Sequence, residues 1–90
     1  MNKSDLTAGA IVRHFKYEAL SEQDKADKKY LYEIIALAEH TESGEELVIY
    51  RALYGDKRTW ARPVSMFLSP VDREKYPDIA QNGRFEVFEP

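Results

Sequence analysis

Two stretches of this chain, Tyr30 to His40 and Glu46 to Tyr54, are dense in β-branched and aromatic residues and are separated by Thr41-Glu-Ser-Gly-Glu-Glu46. Such side chains favour extended backbone, because a branched or planar group packs well on a pleated surface. Ser43-Gly44 is a turn signal, so the pair reads as a β-hairpin. If Thr41 pairs with Glu46, Ala38 faces Ile49, Ala36 faces Arg51 and Ile34 faces Leu53. Leu37 then meets Tyr50 and Glu33 meets Tyr54 on the other face, which also carries Ile35 and Val48. Both faces are substantially apolar, whereas a half-exposed strand alternates cleanly. A cover over the outer face is therefore expected, from the 18–29 segment, the C-terminal tail or a second copy of the chain.

The rest of the chain supplies further strands and no long helix. Ala10 to Lys16 reads as a first strand, punctuated by Gly9. Residues 1–8 are expected to be frayed or to form one helical turn. Residues 18–29 are polar, with balanced charges, and read as an inserted loop or a short helix capped by Ser21, with Asp24 in the place of a capping-box acid. Gly55-Asp-Lys-Arg58 is a second turn, followed by a short strand, Thr59 to Arg62, that Pro63 ends. Pro63 to Leu68 reads as a tight helical turn placing Met66 and Phe67 inward, and Ser69-Pro70 as a helix start cut short by Pro77. Arg84 to Phe88 alternates, with Phe85 and Val87 on one side, as a closing edge strand does. About five antiparallel strands with short turns favour closure, which removes unpaired edges. The expected fold is mainly β: one small SH3-like barrel spanning residues 1–90, with a five-stranded OB-like barrel as the alternative.

Composition narrows the function classes. Ninety residues make one domain with room for one core and one shallow site. A net charge of −3 argues against a surface that is basic throughout, while leaving room for a local basic patch. The absence of cysteine excludes disulfide and thiolate chemistry. The polar start through Thr7 does not resemble a signal peptide, and the apolar runs are too short to span a bilayer, so a cytoplasmic protein without membrane contact is expected.

Catalytic signatures are lacking. His14 and His40 are far apart and show no metal-ligand spacing, and no serine sits in a nucleophile-elbow sequence. His40 beside Glu39 and Glu42 reads as a solvated strand end, and the acidic run from Glu39 to Glu46 as a solvated turn without the alternation of a calcium loop. No phosphate-binding glycine loop is present. No metal, no cofactor and no enzymatic activity are expected; the remaining catalytic option is His14 as an acid/base in a cleft, beside a carboxylate or an anion-binding arginine.

The strongest constellation is basic and aromatic. Residues 51 to 62 carry +3, from Arg51, Lys57, Arg58 and Arg62 against Asp56, while residues 39 to 46 carry −4. Arginine beside aromatics suits an anionic or flat ligand, since guanidinium forks onto oxyanions and rings offer stacking faces. The candidate ligand-binding residues are His14, Lys16, Arg51, Tyr54, Trp60 and Arg62. Against this stands packing: Tyr54 and Trp60 are large apolar surfaces in a domain short of core, and Arg62 has Trp60, Glu33 and Glu39 as ordinary partners.

The series His14-Phe15-Lys16, then Tyr32 through Ala38-x-His40-Thr41, then Glu46 through Arg51-Ala-Leu-Tyr54-Gly55, then Trp60-Ala-Arg62-Pro63 with Met66-Phe67 resembles a bacterial family, domain of unknown function family 1653, over residues 9 to 71. The resemblance implies an SH3-like barrel and a shared cluster of His14, Lys16, Tyr50, Tyr54, Trp60, Arg62 and Phe67, and it implies no activity. The family's usual glycine and short turn after His-Phe-Lys are replaced here by Tyr17 and the 18–29 segment.

The expected function is thus a small non-catalytic binding module for a peptide, a small anion or a nucleic-acid segment. The alternative is a homodimer covering the Ile35, Leu37, Val48 and Tyr50 face. The nucleic-acid option requires Arg13, Lys16, Arg51, Arg58 and Arg62 to converge on one face.

Overall fold

The computed structural model describes residues 1–89. Five strands form one antiparallel sheet: β1 (Ile11–His14), β2 (Leu31–Glu39), β3 (Glu46–Ala52), β4 (Thr59–Pro63) and β5 (Phe85–Val87). Their order is β4-β3-β2-β1-β5, so β4 and β5 are the edges. Two short helices, α1 (Glu22–Ala26) and α2 (Val64–Phe67), and two 3-10 turns, Lys3–Asp5 and Phe15–Ala19, complete the chain. The mainly β architecture read from the sequence is present, with Ser21 capping α1 through the Asp24 N–H at 3.2 Å.

The sheet is barrel-like in its curl, yet its ladder is open. Side chains close it. Phe85 on β5 stacks on Phe67 of α2 with ring centroids 4.0 Å apart, and it meets Tyr50 of β3 edge-on at 5.9 Å. Tyr32, Tyr50 and Phe85 form a further set of edge-to-face contacts, an arrangement that the ring quadrupoles favour. Below α2, Pro70 pairs with Gly83, so the segment after α2 lies antiparallel to the lead-in of β5. Val12, Ile34, Val48 and Phe67 are the fully buried side chains at the centre.

The hairpin register differs from the expectation in two ways. Pairing starts at Glu39 with Glu46, so the connecting loop is two residues longer than with Thr41 paired to Glu46. His40 explains the lengthening: its Nδ1 accepts the N–H groups of Glu42 and Ser43, so His40 begins the turn, which Gly44 completes at φ 74°. The second difference is a bulge between Ile34 and Ala36. An extra residue reverses which side chains face inward beyond it. Ile34 therefore faces Tyr50 in the core and Glu33 faces Arg51 on the outside.

The four residues of the expected dimer face do not share one exposed surface. Val48 and Tyr50 are buried in the core, while Ile35, at the bulge, and Leu37 are 36% and 37% exposed. Three local expectations are settled as well. Of the two N-terminal readings the helical turn is present and the fraying is not: Lys3–Asp5 form a 3-10 turn, Asn2 and Asp5 form a capping box and Leu6 joins the core. Met66 points outward at 48% exposure, because a single helical turn can direct only one of two neighbouring residues inward, and that residue is Phe67. Ser69-Pro70 starts no helix, because Pro70 is taken into the bridge with Gly83.

Phe67→Ala is expected to destabilise the fold by about 3–5 kcal/mol and Met66→Ala by under about 0.5 kcal/mol, as measured by urea unfolding.

Candidate functional site

Alternate residues of a strand share a face. On β4, Trp60 stands opposite Tyr50 and Arg62 opposite Val48, so both lie on the concave face. Because β4 is an edge, this face is open there: Trp60 is 47% exposed. Arg62 is held by its Nε, which donates to the Tyr50 hydroxyl at 3.3 Å, and its guanidinium lies 5.9 Å from the Phe85 ring centre.

Three hollows follow this rim in a row. The first is a cleft of about 270 Å³ whose lining includes His14, Lys16, Arg62, Lys75 and Arg84, with Asp72 its one carboxylate. Phe15, Val71 and Tyr76 also contribute to its lining. The second, about 210 Å³, is lined by Tyr32, Tyr50, Tyr54, Trp60 and Arg62. The third, about 130 Å³, is lined by Tyr54 and Trp60 together with Lys57 and Arg58 of the turn before β4, with Asp56 its one carboxylate. Arg62 is the wall between the first two; Tyr54 and Trp60 separate the second from the third.

Each side chain is placed by identifiable contacts. Tyr54 is fixed by a 2.8 Å hydroxyl–hydroxyl bond to Tyr32, whose ionisation is pushed up by burial and by this bond. Lys16 sits 5.8 Å from the Tyr76 ring centre. Arg84 comes from the tail, and the tail is pinned by polar contacts. Glu18 accepts the N–H groups of Ala80 and Gln81 at 2.8 and 2.9 Å, which hold its carboxyl below the usual range. The buried Gln81 amide donates to the carbonyls of Gly83 and Arg13, and Arg73 donates to Gln81 and Asn82.

His14 is the electrostatic centre of the cleft. Its Nδ1 accepts the Lys16 N–H at 3.1 Å, which leaves the ring proton of the neutral imidazole on Nε2. Burial first, then the charges of Lys16, Arg62 and Arg84, lower its pKa to about 4. At neutral pH it is an uncharged donor among cations.

Of the six residues singled out in the sequence, His14, Lys16 and Arg62 line the first cleft, and Tyr54, Trp60 and Arg62 line the second. Arg51 does not join them. The alternation of β3, whose Val48, Tyr50 and Ala52 face the core, turns it to the outer face, where it pairs with Glu33 at 3.0 Å. The convergence of all five basic residues on one face, which the nucleic-acid option was expected to need, is not met: Lys16, Arg58 and Arg62 line the row, while Arg13 pairs with Glu86 at 3.9 Å and Arg51 with Glu33. Arg84, Lys75 and Tyr76 were missed, because only the folding-back of the tail brings them to β1 and β4. Nothing in their local sequence announces it.

The decisive comparison is a family model that matches residues 10–87. The chain belongs to the family described as protein of unknown function (DUF1653). The match extends through the tail that supplies Lys75 and Arg84, beyond the 9–71 span recognisable by eye. No curated protein and no solved structure matches this DUF1653 chain. Among the described residues no helix is long and apolar enough to cross a membrane.

Because the folded His14 pKa lies below the unfolded value of about 6.5, its contribution to stability is fully present above that value and is lost as pH falls toward 4. The stability gap between the native chain and His14→Asn should therefore narrow by roughly 1–2 kcal/mol from pH 7 to pH 4.5 in urea melts, allowing for solvent screening of a partly exposed ring.

Proposed function

We propose that this DUF1653 chain is a non-catalytic binding module whose first cleft holds an oxyanion group of its ligand. The observation that carries this is the charge of the cleft. Lys16, Arg62, Lys75 and Arg84 face one carboxylate, on a chain whose net charge is −3. Among the described residues, the ion pairs are Lys3–Glu46, Arg13–Glu86 and Arg51–Glu33, so none of the four is neutralised by a salt bridge. Gathering like charges is unfavourable unless an anion answers them.

The donor set fits an oxyanion. Guanidinium groups from Arg62 and Arg84 offer planar forks, lysines add compact charge, and neutral His14 adds an N–H without a further charge. Binding is favoured over proton transfer because His14 is almost wholly neutral at physiological pH and its Nδ1 is already engaged by backbone.

Calorimetric titration with inorganic pyrophosphate tests this. Arg84→Gln should weaken binding by about tenfold or more, the loss expected for one charge-assisted contact, while Arg51→Gln leaves it unchanged. Absence of binding, or equal loss in both variants, overturns the assignment.

A further inference from the structure

The ligand of the cleft can be named by class from what lies beside it. Resting on the anion-binding reading above, we propose that the rim along β4 binds a segment of single-stranded nucleic acid, one base stacked on Trp60 and a phosphate on each side, at Arg62 and at Arg58. The three hollows form a continuous row with shared walls: cationic cleft, aromatic hollow, cationic turn. Arg58, Trp60 and Arg62 are spaced two residues apart, so successive side chains on this rim stand roughly 7 Å apart. That is comparable to one nucleotide of an extended strand. The alternation cation–aromatic–cation is the pattern that a sequence-tolerant single-strand groove uses, since every base has a stacking face and every linkage a charge.

Competing ligands fit less well. A mononucleotide presents phosphate on one side of its base and would leave the Lys57 and Arg58 side unanswered. A cationic ligand in the aromatic hollow would meet Arg62 in its wall. A duplex contact is broad, yet Arg13 and Arg51, which a broad contact would recruit, are engaged with Glu86 and Glu33. The exposed indole, flanked on both sides by charge, favours stacked bases over an acidic peptide, which carries charge without rings.

Trp60 is the single tryptophan, so its fluorescence reports on the site directly. The full chain is titrated with a single-stranded oligouridylate octamer, the same length of RNA duplex, uridine monophosphate, polyglutamate and inorganic pyrophosphate. The octamer should quench Trp60 and bind at least tenfold tighter than any other probe. Its affinity should fall with salt at a log–log slope of about −1.4, for the two phosphate contacts. Trp60→Ala should weaken the octamer about 5- to 100-fold and leave pyrophosphate binding unchanged, with Trp60→Phe restoring most of the loss. Arg58→Ala should reduce the salt slope by about 0.7. If the octamer binds no tighter than the monophosphate, duplex or polyglutamate, or if Trp60→Ala is silent, the nucleic-acid assignment is overturned. Arg84-dependent pyrophosphate binding would then leave the anion cleft standing, whereas loss of pyrophosphate binding as well would remove both.

Discussion

The stack of Phe85 on Phe67 is the contact on which the rest depends. The two edge strands share no ladder, so hydrogen bonds cannot hold the ends of the sheet together. The aromatic ring of one edge strand, pressed against the helix that follows the other, does so instead. Such rings bury large areas and gain from offset or edge contacts with Tyr32 and Tyr50. The same ring positions the site. His14 meets it edge-on at 5.2 Å and the Arg62 guanidinium lies over it, so a group from β1 and a group from β4 are brought to one rim by a shared neighbour.

A cluster of cations needs a rigid frame, because the charges repel and would otherwise drift apart. The frame here is mostly neutral and polar. Glu18 and Gln81 fix the tail against the start of the chain, the Lys16 N–H fixes His14, and Tyr50 fixes Arg62. The segment after β1 is part of this frame: it supplies both Lys16 and the Glu18 carboxylate. An anion in the cleft would relieve the stored repulsion, so binding and stability are expected to rise together.

Much of the fold was legible because it follows from local chemistry. The hairpin, the Ser21 cap, the turn before β4 and the inward Phe67 each rest on a few neighbouring residues. The bulge was not legible, since Ile34 and Ile35 are equally β-branched and nothing in either marks which will be the extra one. It decided which β2 residues join Val48 and Tyr50 in the core, namely Ile34 and Tyr32 and not Glu33. For the site, Trp60 and Arg62 stood out as a strand-spaced pair, and His14 and Lys16 as their partners. Arg84 and Lys75 did not, because their place depends on a chain reversal pinned by contacts more than sixty residues apart, such as Glu18 with Gln81.

The sequence by itself determined that this chain is a small β domain with a basic and aromatic stretch near its middle. Side-chain type sets strand and turn preference locally, and charge can be counted. Only the tertiary structure decided which of those basic residues act together. Arg13 and Arg51 found carboxylates across a strand, whereas Lys16, Arg62 and Arg84 were left facing one another around one cleft. That division is set by sheet register and by the folding-back of the tail, and both are long-range choices made by packing the core.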